Sequence, residues 1–400
     1  MKLLLIIDDY LPHSKKVGAK MMHELALELK KNSHEVSVLT PKPMQKELLT
    51  VKNIDGISVL FFRSGKIKNV GKLKRAINES LLSYQAFKSA KKYLKENPCN
   101  GIIYYSPSIF FGSLVKKLTT LWNCKSYMIL RDIFPQWSVD NNLINENSLV
   151  HRYFNFFEKI NYKSADRIGV MSKSNLEFFK SKKINTSKFE VLYNWAKISE
   201  VQINEVQKIK NNFRKKLKLE NKIVLFYGGN IGHAQQMINL VNLAKKFTKN
   251  SSVHFLFVGE GDEVELLLKE ASNNKLKNIT YIPPVNQNTY FEMVNEFDIG
   301  MFSLHSGHKT HNFPGKLLGY MSLSKPILGC VNNGNDLADV INSTNAGFVV
   351  NSSDELGLYK AAKILIESKS IRNKMGKNGI DLLLSQFSVE SISKQIVSNL

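Results

Sequence analysis

The polar chemistry of this 400-residue chain is densest at residues 309–334, K-T-H-N-F-P-G-K-L-L-G-Y-M-S-L-S-K-P-I-L-G-C-V-N-N-G. An apolar run at 299–304 precedes it and reads as a buried strand. His305, His308, Lys309 and His311 follow, then an Asn312-Phe313-Pro314-Gly315 turn and a helix opening at Lys316. A polar loop delivered to a helix N-terminus suits an anion. Unpaired N–H groups point outward there, and the helix dipole adds partial positive charge. Lys316 and Lys309 add full charges. The plainer alternative for Lys316 is a solvated first-turn lysine.

Two glycine-rich turns end apolar runs in the same half of the chain. Tyr227-Gly228-Gly229-Asn230-Ile231-Gly232-His233 is one, and Gly259-Glu260-Gly261-Asp262 is the other. Glycines let the backbone approach a pyrophosphate, and a following helix supplies donors. One such turn is a weak signal. Two on successive strands, with the loop before Lys316, point to a nucleoside diphosphate. Glu260 suits a ribose or a base, and equally suits a helix N-terminus.

The first half carries two further candidate loops. Residues 8–19 form a long polar turn in which Gly18 leads into a helix and His13 lies on the way. It lacks GxGxxG, so dinucleotide binding is not supported. Leu130-Arg131-Asp132-Ile133-Phe134-Pro135-Gln136-Trp137 ends another strand. Asp132 is either a salt-bridge partner of Arg131 or a carboxylate for a sugar hydroxyl. Phe134 and Trp137 offer a stacking surface or plain core packing.

These loops need strands to present them. In the first half, apolar runs at 3–7, 35–40, 58–62, 101–105, 126–130, 167–171 and 189–192 alternate with helical patterns at 18–31, 72–95, 107–121, 149–162 and 173–180. In the second half, runs at 223–227, 253–258, 279–282, 299–304, 326–329 and 347–350 alternate with helical patterns at 234–248, 262–271, 290–296, 316–322 and 337–341. A helical remainder follows. Such alternation implies βαβ units and parallel sheets. A charged stretch at 193–222, helical around 206–217, separates the halves. The expected fold class is α/β, with two Rossmann-like doubly wound domains facing across a cleft. The expected domains are 1–198 for an acceptor, 199–383 for a nucleotide sugar, and a helix at 384–400 returning toward the first domain. Four hundred residues also exceed what one core usually supports.

Charge and cysteines narrow the classes. The formal net charge is +22. Residues 1–198 carry 33 Lys+Arg against 16 Asp+Glu, and residues 199–400 carry 23 against 18, so the excess of basic residues lies mainly in the first half. Residues 63–96 alone hold ten basic side chains against Glu79 and Glu96. Such a patch seeks phosphate, as nucleic acid or anionic lipid. No RNP, KH, helix-turn-helix or zinc pattern accompanies it, which argues against nucleic acid. Cys99, Cys124 and Cys330 are scattered, which fits a reducing compartment. No run is long enough for a signal peptide or a membrane span. The expected location is cytoplasmic.

Across nearly its whole length the sequence resembles the family 4 glycosyltransferases, retaining enzymes of the GT-B fold. The resemblance rests on the stretch from Pro12 to Thr40, on Gly229-Asn230-Ile231-Gly232, on Val258-Gly259-Glu260-Gly261, and on Phe313-Pro314 through Lys316-Leu317-Leu318, Tyr320-Met321 and Lys325-Pro326-Ile327-Leu328. More narrowly, Arg131 to Trp137, Tyr193-Asn194-Trp195, His308 to Gly319 and Gly334-Asn335-Asp336-Leu337 resemble the L-fucosamine transferases of O-antigen and capsule assembly. The wider family carries two glutamates separated by seven intervening residues. His311 and Gly319 stand at those positions here, so the usual donor-sugar and ribose roles do not transfer.

The resemblance implies transfer of a sugar, with N-acetyl-L-fucosamine the candidate, from a UDP-sugar to a lipid-diphosphate-linked saccharide, with retention. It implies Lys316 as the stabiliser of the leaving diphosphate, with Asp132 and His13 as candidate acceptor-side catalytic residues. The donor set is Gly229, Asn230, Gly232, Glu260, Lys309, His311, Asn312, Phe313, Pro314, Gly315, Asn335 and Asp336. The acceptor set is Gly18, Arg131 and Trp137. No DxD motif or His/Asp cluster is present, so no metal or other cofactor is expected. An acceptor of this kind places the protein on the anionic inner face of the plasma membrane. The basic helix at 72–95, with Leu73, Ala76, Ile77, Leu81, Tyr84 and Phe87, would dock there unless that stripe packs on the sheet. A UDP-sugar 2-epimerase of similar fold is the alternative.

Overall fold

The computed structural model describes all residues except 15, 68–69, 107, 141–142, 196–211 and 308–312. The chain divides into two compact units. Unit 1 is Met1–Tyr193 together with Val389–Leu400, and unit 2 is Asn194–Ser388.

Unit 1 is built on an eight-stranded sheet. Its strands are β1 (Lys2–Ile6), β2 (Glu35–Pro43), β3 (Leu49–Ile54), β4 (Ile57–Ser64), β5 (Gly101–Ser106), β6 (Lys125–Leu130), β7 (Arg167–Val170) and β8 (Phe189–Val191). They lie in the order β3-β4-β2-β1-β5-β6-β7-β8. All neighbours are parallel except β3, which pairs antiparallel with β4. The central strands are apolar on both faces because helices cover both faces, as parallel sheets require. Leu3, Leu5, Ile6, Ile102, Ile103, Met128 and Ile129 are all fully buried.

Unit 2 repeats the plan with six parallel strands. They are β9 (Ile223–Gly228), β10 (Val253–Val258), β11 (Ile279–Ile282), β12 (Ile299–Ser303), β13 (Ile327–Val331) and β14 (Gly347–Asn351). Their order is β11-β10-β9-β12-β13-β14. In both sheets the order reverses beside the first strand. In such sheets ligands bind at the strand C-termini near the reversal. The expected α/β class and the Rossmann-like character of both units are therefore observed.

Several elements differ from expectation. The sequence reading misses β3, whose Leu-Thr-Val-Lys-Asn-Ile pattern is largely exposed. The turn to β4 is Asp55-Gly56, both at positive φ, 51° and 79°. That is the two-residue hairpin turn that Asp-Gly favours. The single helix expected at 72–95 is two helices, Lys72–Ser80 and Leu82–Glu96. At the break, the Ser80 hydroxyl donates back to the Ala76 carbonyl at 2.7 Å and also meets the Tyr153 hydroxyl. Such back-bonding competes with helix continuation. The helix expected at 107–121 starts only at Gly112, and the one at 234–248 is a 3-10 turn followed by Ile238–Lys246.

The final helix, Val389–Ser398, belongs to unit 1 and follows an extended Ser388. Gln395 Nε2 donates to the Val191 carbonyl at 2.9 Å, and Asn399 Nδ2 reaches Glu190 at 3.3 Å. Ile392 and Ile396 are buried to within 1%. Ile396→Ala should cost about 2–5 kcal/mol, the usual range for a collapsed aliphatic site. A lower urea midpoint for loss of unit 1 structure is the expected reading.

Candidate functional site

In unit 2 the C-termini of β9 and β10 bring the two glycine turns together. Gly229 sits at φ 120°, Gly259 at 148° and Gly261 at 151°. A Cβ on Gly259 would collide with the Gly229 carbonyl oxygen, and one on Gly261 with the Ile231 carbonyl. Backbone bonds lock the pair: Gly229 N–H to the Val258 carbonyl at 2.9 Å and Ile231 N–H to the Glu260 carbonyl at 2.8 Å. Only glycine tolerates both the dihedral angle and the approach. Beside these turns lies a cavity of 380 Å³, lined by the backbone of Gly229–Asn230 and Val258–Glu260 and by Pro284, Val285, Gln287 and Tyr290. That volume falls within the roughly 300–1,000 Å³ of small-molecule sites.

Lys316 opens a helix of only seven residues, Lys316–Ser322. Its Nζ lies 3.6 Å from the centroid of the Tyr227 ring. A Cβ on Gly229 would meet that same Nζ at 3.6 Å. The side chain keeps some solvent contact, but its ammonium sits deep, and burial pushes it down to about 7. No carboxylate pairs with it among the described residues. The ring face offsets part of the desolvation, about 0.5–2 kcal/mol. A cation so placed, at the mouth of a glycine turn, is matched by an anion from outside.

The expected backbone donors are fewer than the sequence suggested. Within Gly229–Gly232, Gly229 and Ile231 use their N–H groups on strand β10 and its turn, and Gly232 donates to Gln235 Oε1 at 3.2 Å. The next N–H, of His233, goes to Asp262 Oδ1 at 3.2 Å. Of the four, only the Asn230 N–H has no partner among the described residues. Positive charge at the site therefore comes chiefly from Lys316. The Asn230 side chain donates to Gln235 Oε1 at 2.7 Å, and its carbonyl accepts from the Tyr227 hydroxyl, so the turn is held from both sides.

Other expected donor residues have various surroundings. Glu260 lines the cavity. Phe313 packs on Phe387, ring centroids 4.3 Å apart, and Gly315 faces open space. Asn335 is buried, with its amide donating to Asn332 Oδ1 at 3.0 Å and its oxygen accepting from Leu337 N–H at 3.1 Å. Asp336 beside it is also buried. Pro314 is half-buried just before Lys316. Lys309, His311 and Asn312 lie outside the described residues. A Cβ at Gly319 would meet the Phe291 ring at 3.4 Å and the Tyr290 ring at 3.7 Å, so aromatic rings border that position.

In unit 1, Arg131 is buried and spent on backbone: it donates to the Leu192 carbonyl at 2.6 Å and the Tyr193 carbonyl at 3.1 Å. Burial pushes it down to about 10. Its observed work is to tie the end of β8, which differs from an acceptor contact. Asp132 remains accessible; desolvation raises its carboxyl and Arg131 lowers it. Trp137, 40% exposed, leans on Phe134. Gly18 lets its helix close on Tyr105, whose hydroxyl would lie 2.8 Å from a Cβ there.

His13 is exposed and packs edge-on against Phe61 of β4, centroids 5.5 Å apart. Burial and the charges of Lys42 and Lys52 lower its pKa. Strand β4 lies four positions from β6 in the sheet, about 19 Å at ~4.8 Å per strand. The structure therefore does not bring His13 to Asp132. Sequence reasoning missed Tyr227 and Tyr290 around the donor turns, and Asp8 and Tyr105 in unit 1. Only Asp8 carried a signal, as the first polar residue after β1.

The comparisons bear on unit 2 most directly. Residues 208–382 match the family described as Glycosyl transferases group 1. All of the matched residues lie in the second unit. The chain is also 25% identical over 240 residues to the probable glycosyltransferase WbjE of Pseudomonas aeruginosa, covering 59% of this chain and 58% of that protein. It spans about three fifths of the length of the relatives it matches first. Among solved structures, sucrose-phosphate synthase of Thermosynechococcus elongatus superposes with a TM-score of 0.65 at 13% identity, covering 99% of this chain and 97% of that one. Anabaena HepE in complex with UDP and glucose gives 0.62 at 14% identity, covering 100% and 98%. The fold is thus GT-B. Among the described residues, no group of three or more His, Cys, Asp or Glu side chains is placed to hold a metal ion.

The isolated ammonium gives a signed prediction. In the folded protein burial holds Lys316 at about 7, below the ordinary lysine value of 10.5. Its burial penalty is therefore fully present below pH 7 and is relieved as pH rises toward 10.5. Lys316→Met should therefore raise Tm at pH 6.5 and raise it much less near pH 10, which scanning calorimetry at the two pH values checks.

Proposed function

We propose that the chain is a retaining, nucleotide-sugar-dependent glycosyltransferase, with a UDP-sugar as donor and a lipid-diphosphate-linked saccharide as acceptor. The observation that carries this reading is the desolvated, carboxylate-free ammonium of Lys316 against the Gly229 turn, next to a cavity sized for a nucleoside. The base and ribose fit the 380 Å³ cavity, with Glu260 at its wall. The diphosphate then falls beside Lys316 and the free N–H of Asn230. As the bond from the anomeric carbon to the phosphate oxygen breaks, negative charge grows on the diphosphate. A fixed cation stabilises that charge more than it stabilises the ground state. The UDP of the HepE complex supports the choice of nucleotide. The group 1 match favours transfer over the epimerase alternative.

N-acetyl-L-fucosamine as the donor sugar, and O-antigen or capsule assembly as the setting, follow from the sequence resemblance. Lys309, His311 and Asn312 are proposed donor contacts on the same basis. Asp132, accessible in unit 1, is proposed to orient the acceptor or the oxocarbenium-like state, and Trp137 to offer it a stacking face. No metal or other cofactor is proposed.

A lipid-linked acceptor requires a membrane surface, and unit 1 offers a face for one. On the helix Lys72–Ser80, Leu73 is 77% and Ile77 51% exposed, with Lys74 and Arg75 among them. Leu81 and Tyr84 continue the strip. The contact between Ser80 and Tyr153 joins it to the helix Leu149–Ser164, where Leu149, Val150 and Phe156 are also exposed. Of the expected stripe, Leu73, Ile77, Leu81 and Tyr84 are exposed, whereas Phe87 packs against the core beside Leu82, Ala86, Ala90 and Leu94. Apolar side chains among lysines suit an anionic interface, worth about 1 kcal/mol per basic residue near it. No described helix is long and apolar enough to cross a membrane.

Two measurements test the reading. With a panel of UDP-sugars and a lipid-linked saccharide acceptor, Lys316→Ala should lower kcat about 100-fold or more. Near wild-type turnover would remove Lys316 from the mechanism, and isomer formation from the UDP-sugar alone would favour the epimerase. In vesicle flotation, the protein should rise with phosphatidylglycerol but not phosphatidylcholine, and Leu73→Asp with Ile77→Asp should abolish this. Binding that ignores both salt and these substitutions would sink the membrane face.

A further inference from the structure

Three neighbouring strands of unit 1, β1, β5 and β6, end close to Asp8, Tyr105 and Asp132, whose side chains have no side-chain hydrogen bond among the described residues. Asp8 lies two residues past the end of β1, half-buried, and its carboxylate has no side-chain hydrogen bond among the described residues. Burial is the main influence on it and pushes it up to about 6, against the opposing charge of Lys16 and with the like charges of Asp9 and Glu79. Its neighbour Asp9 differs: it accepts from Ser14 Oγ at 2.7 Å and meets Lys16 Nζ at 3.8 Å.

Tyr105 is the penultimate residue of β5, the strand between β1 and β6. It is 8% exposed, and its hydroxyl has no hydrogen-bond partner among the described residues. The hydroxyl reaches beneath the first turn of the helix Val17–Lys31, at the spot that Gly18 leaves open. Burial pushes Tyr105 up to about 12; Arg131 opposes the shift, and Asp132 and Asp8 both reinforce it. The phenol therefore stands within the field of both carboxylates. Arg131, also near, spends two of its nitrogens on the Leu192 and Tyr193 carbonyls.

An acceptor-only carboxylate beside a neutral donor hydroxyl is complementary to a group that both donates and accepts, which is an alcohol. A phosphate would be repelled by Asp8 and Asp132. Neutral polyhydroxy ligands meet neither objection. We propose that Asp8 and Tyr105, with Asp132, form the saccharide-hydroxyl site of unit 1, Asp8 accepting from the sugar hydroxyl and Tyr105 donating to it. That this saccharide is the transfer acceptor rests on the function proposed above; that a saccharide binds here does not.

The test uses the full chain and methyl glycosides of glucose, galactose, fucose and N-acetylglucosamine, each followed by saturation-transfer NMR. UDP binding is measured by calorimetry on the same preparations. At least one glycoside should bind the unmodified protein. Asp8→Asn and Tyr105→Phe should each weaken it about tenfold or more, with UDP binding unchanged. Should Asp8→Asn fail to fold, Tyr105→Phe, which removes one buried oxygen, carries the test alone. No glycoside binding, or binding indifferent to the substitutions, overturns the site. Glycoside binding that depends on Asp8 in a protein that ignores UDP leaves this site standing and removes the donor reading.

Discussion

The close approach of Gly259 to the Gly229 carbonyl is the constraint on which the candidate site of unit 2 depends. It sets two strand ends at a separation that no side chain permits. The bonds that follow, from Gly229 to Val258 and from Ile231 to Glu260, hold that part of the cavity wall in place. The close approach also keeps the Gly229 turn beside Lys316.

That placement has an energetic logic. Burying an ammonium without a carboxylate lowers stability, and the protein accepts the loss at one place only partly cushioned by the Tyr227 ring. The cores of the two units offset it. Each has a sheet whose central strands are buried throughout, worth about 25 cal/mol per Å² of apolar surface removed from water. An internal carboxylate would have relieved the strain and occupied the anion site. In unit 1, Arg131 follows the other course, exchanging charge for backbone bonds that hold β8.

Much of this was legible from residues alone, for reasons specific to each element. Apolar runs such as Leu-Leu-Leu-Ile in β1 and Val-His-Phe-Leu-Phe-Val in β10 are strands because strands buried on both faces need no alternation. The glycine turns were visible because only glycine fits them. Strand β3 was missed although Asp55-Gly56 announces its hairpin, because its exposed residues lack a strong period. The helix break at Leu81 comes from a Ser80 back-bond, which no composition signals. Which N–H groups of Gly229–Gly232 remain free is decided by Gln235 and strand β10, through contacts that only the folded chain makes. His13 and Asp132 share a sheet edge in sequence logic, but strand order separates them.

The last helix has a consequence for how the molecule is made. Unit 1 is discontinuous: its sheet comes from the first 193 residues, but the helix that covers Val191 and the start of β5 comes from the final twelve. Domains usually fold in the order in which they are synthesised. Here the order is inverted at the finish. Unit 2 is contiguous and can close while unit 1 still waits, with Gly101, Val191 and Glu190 uncovered, for residues 389–400. A nascent chain stalled short of residue 389 would hold a complete second unit beside an unfinished first.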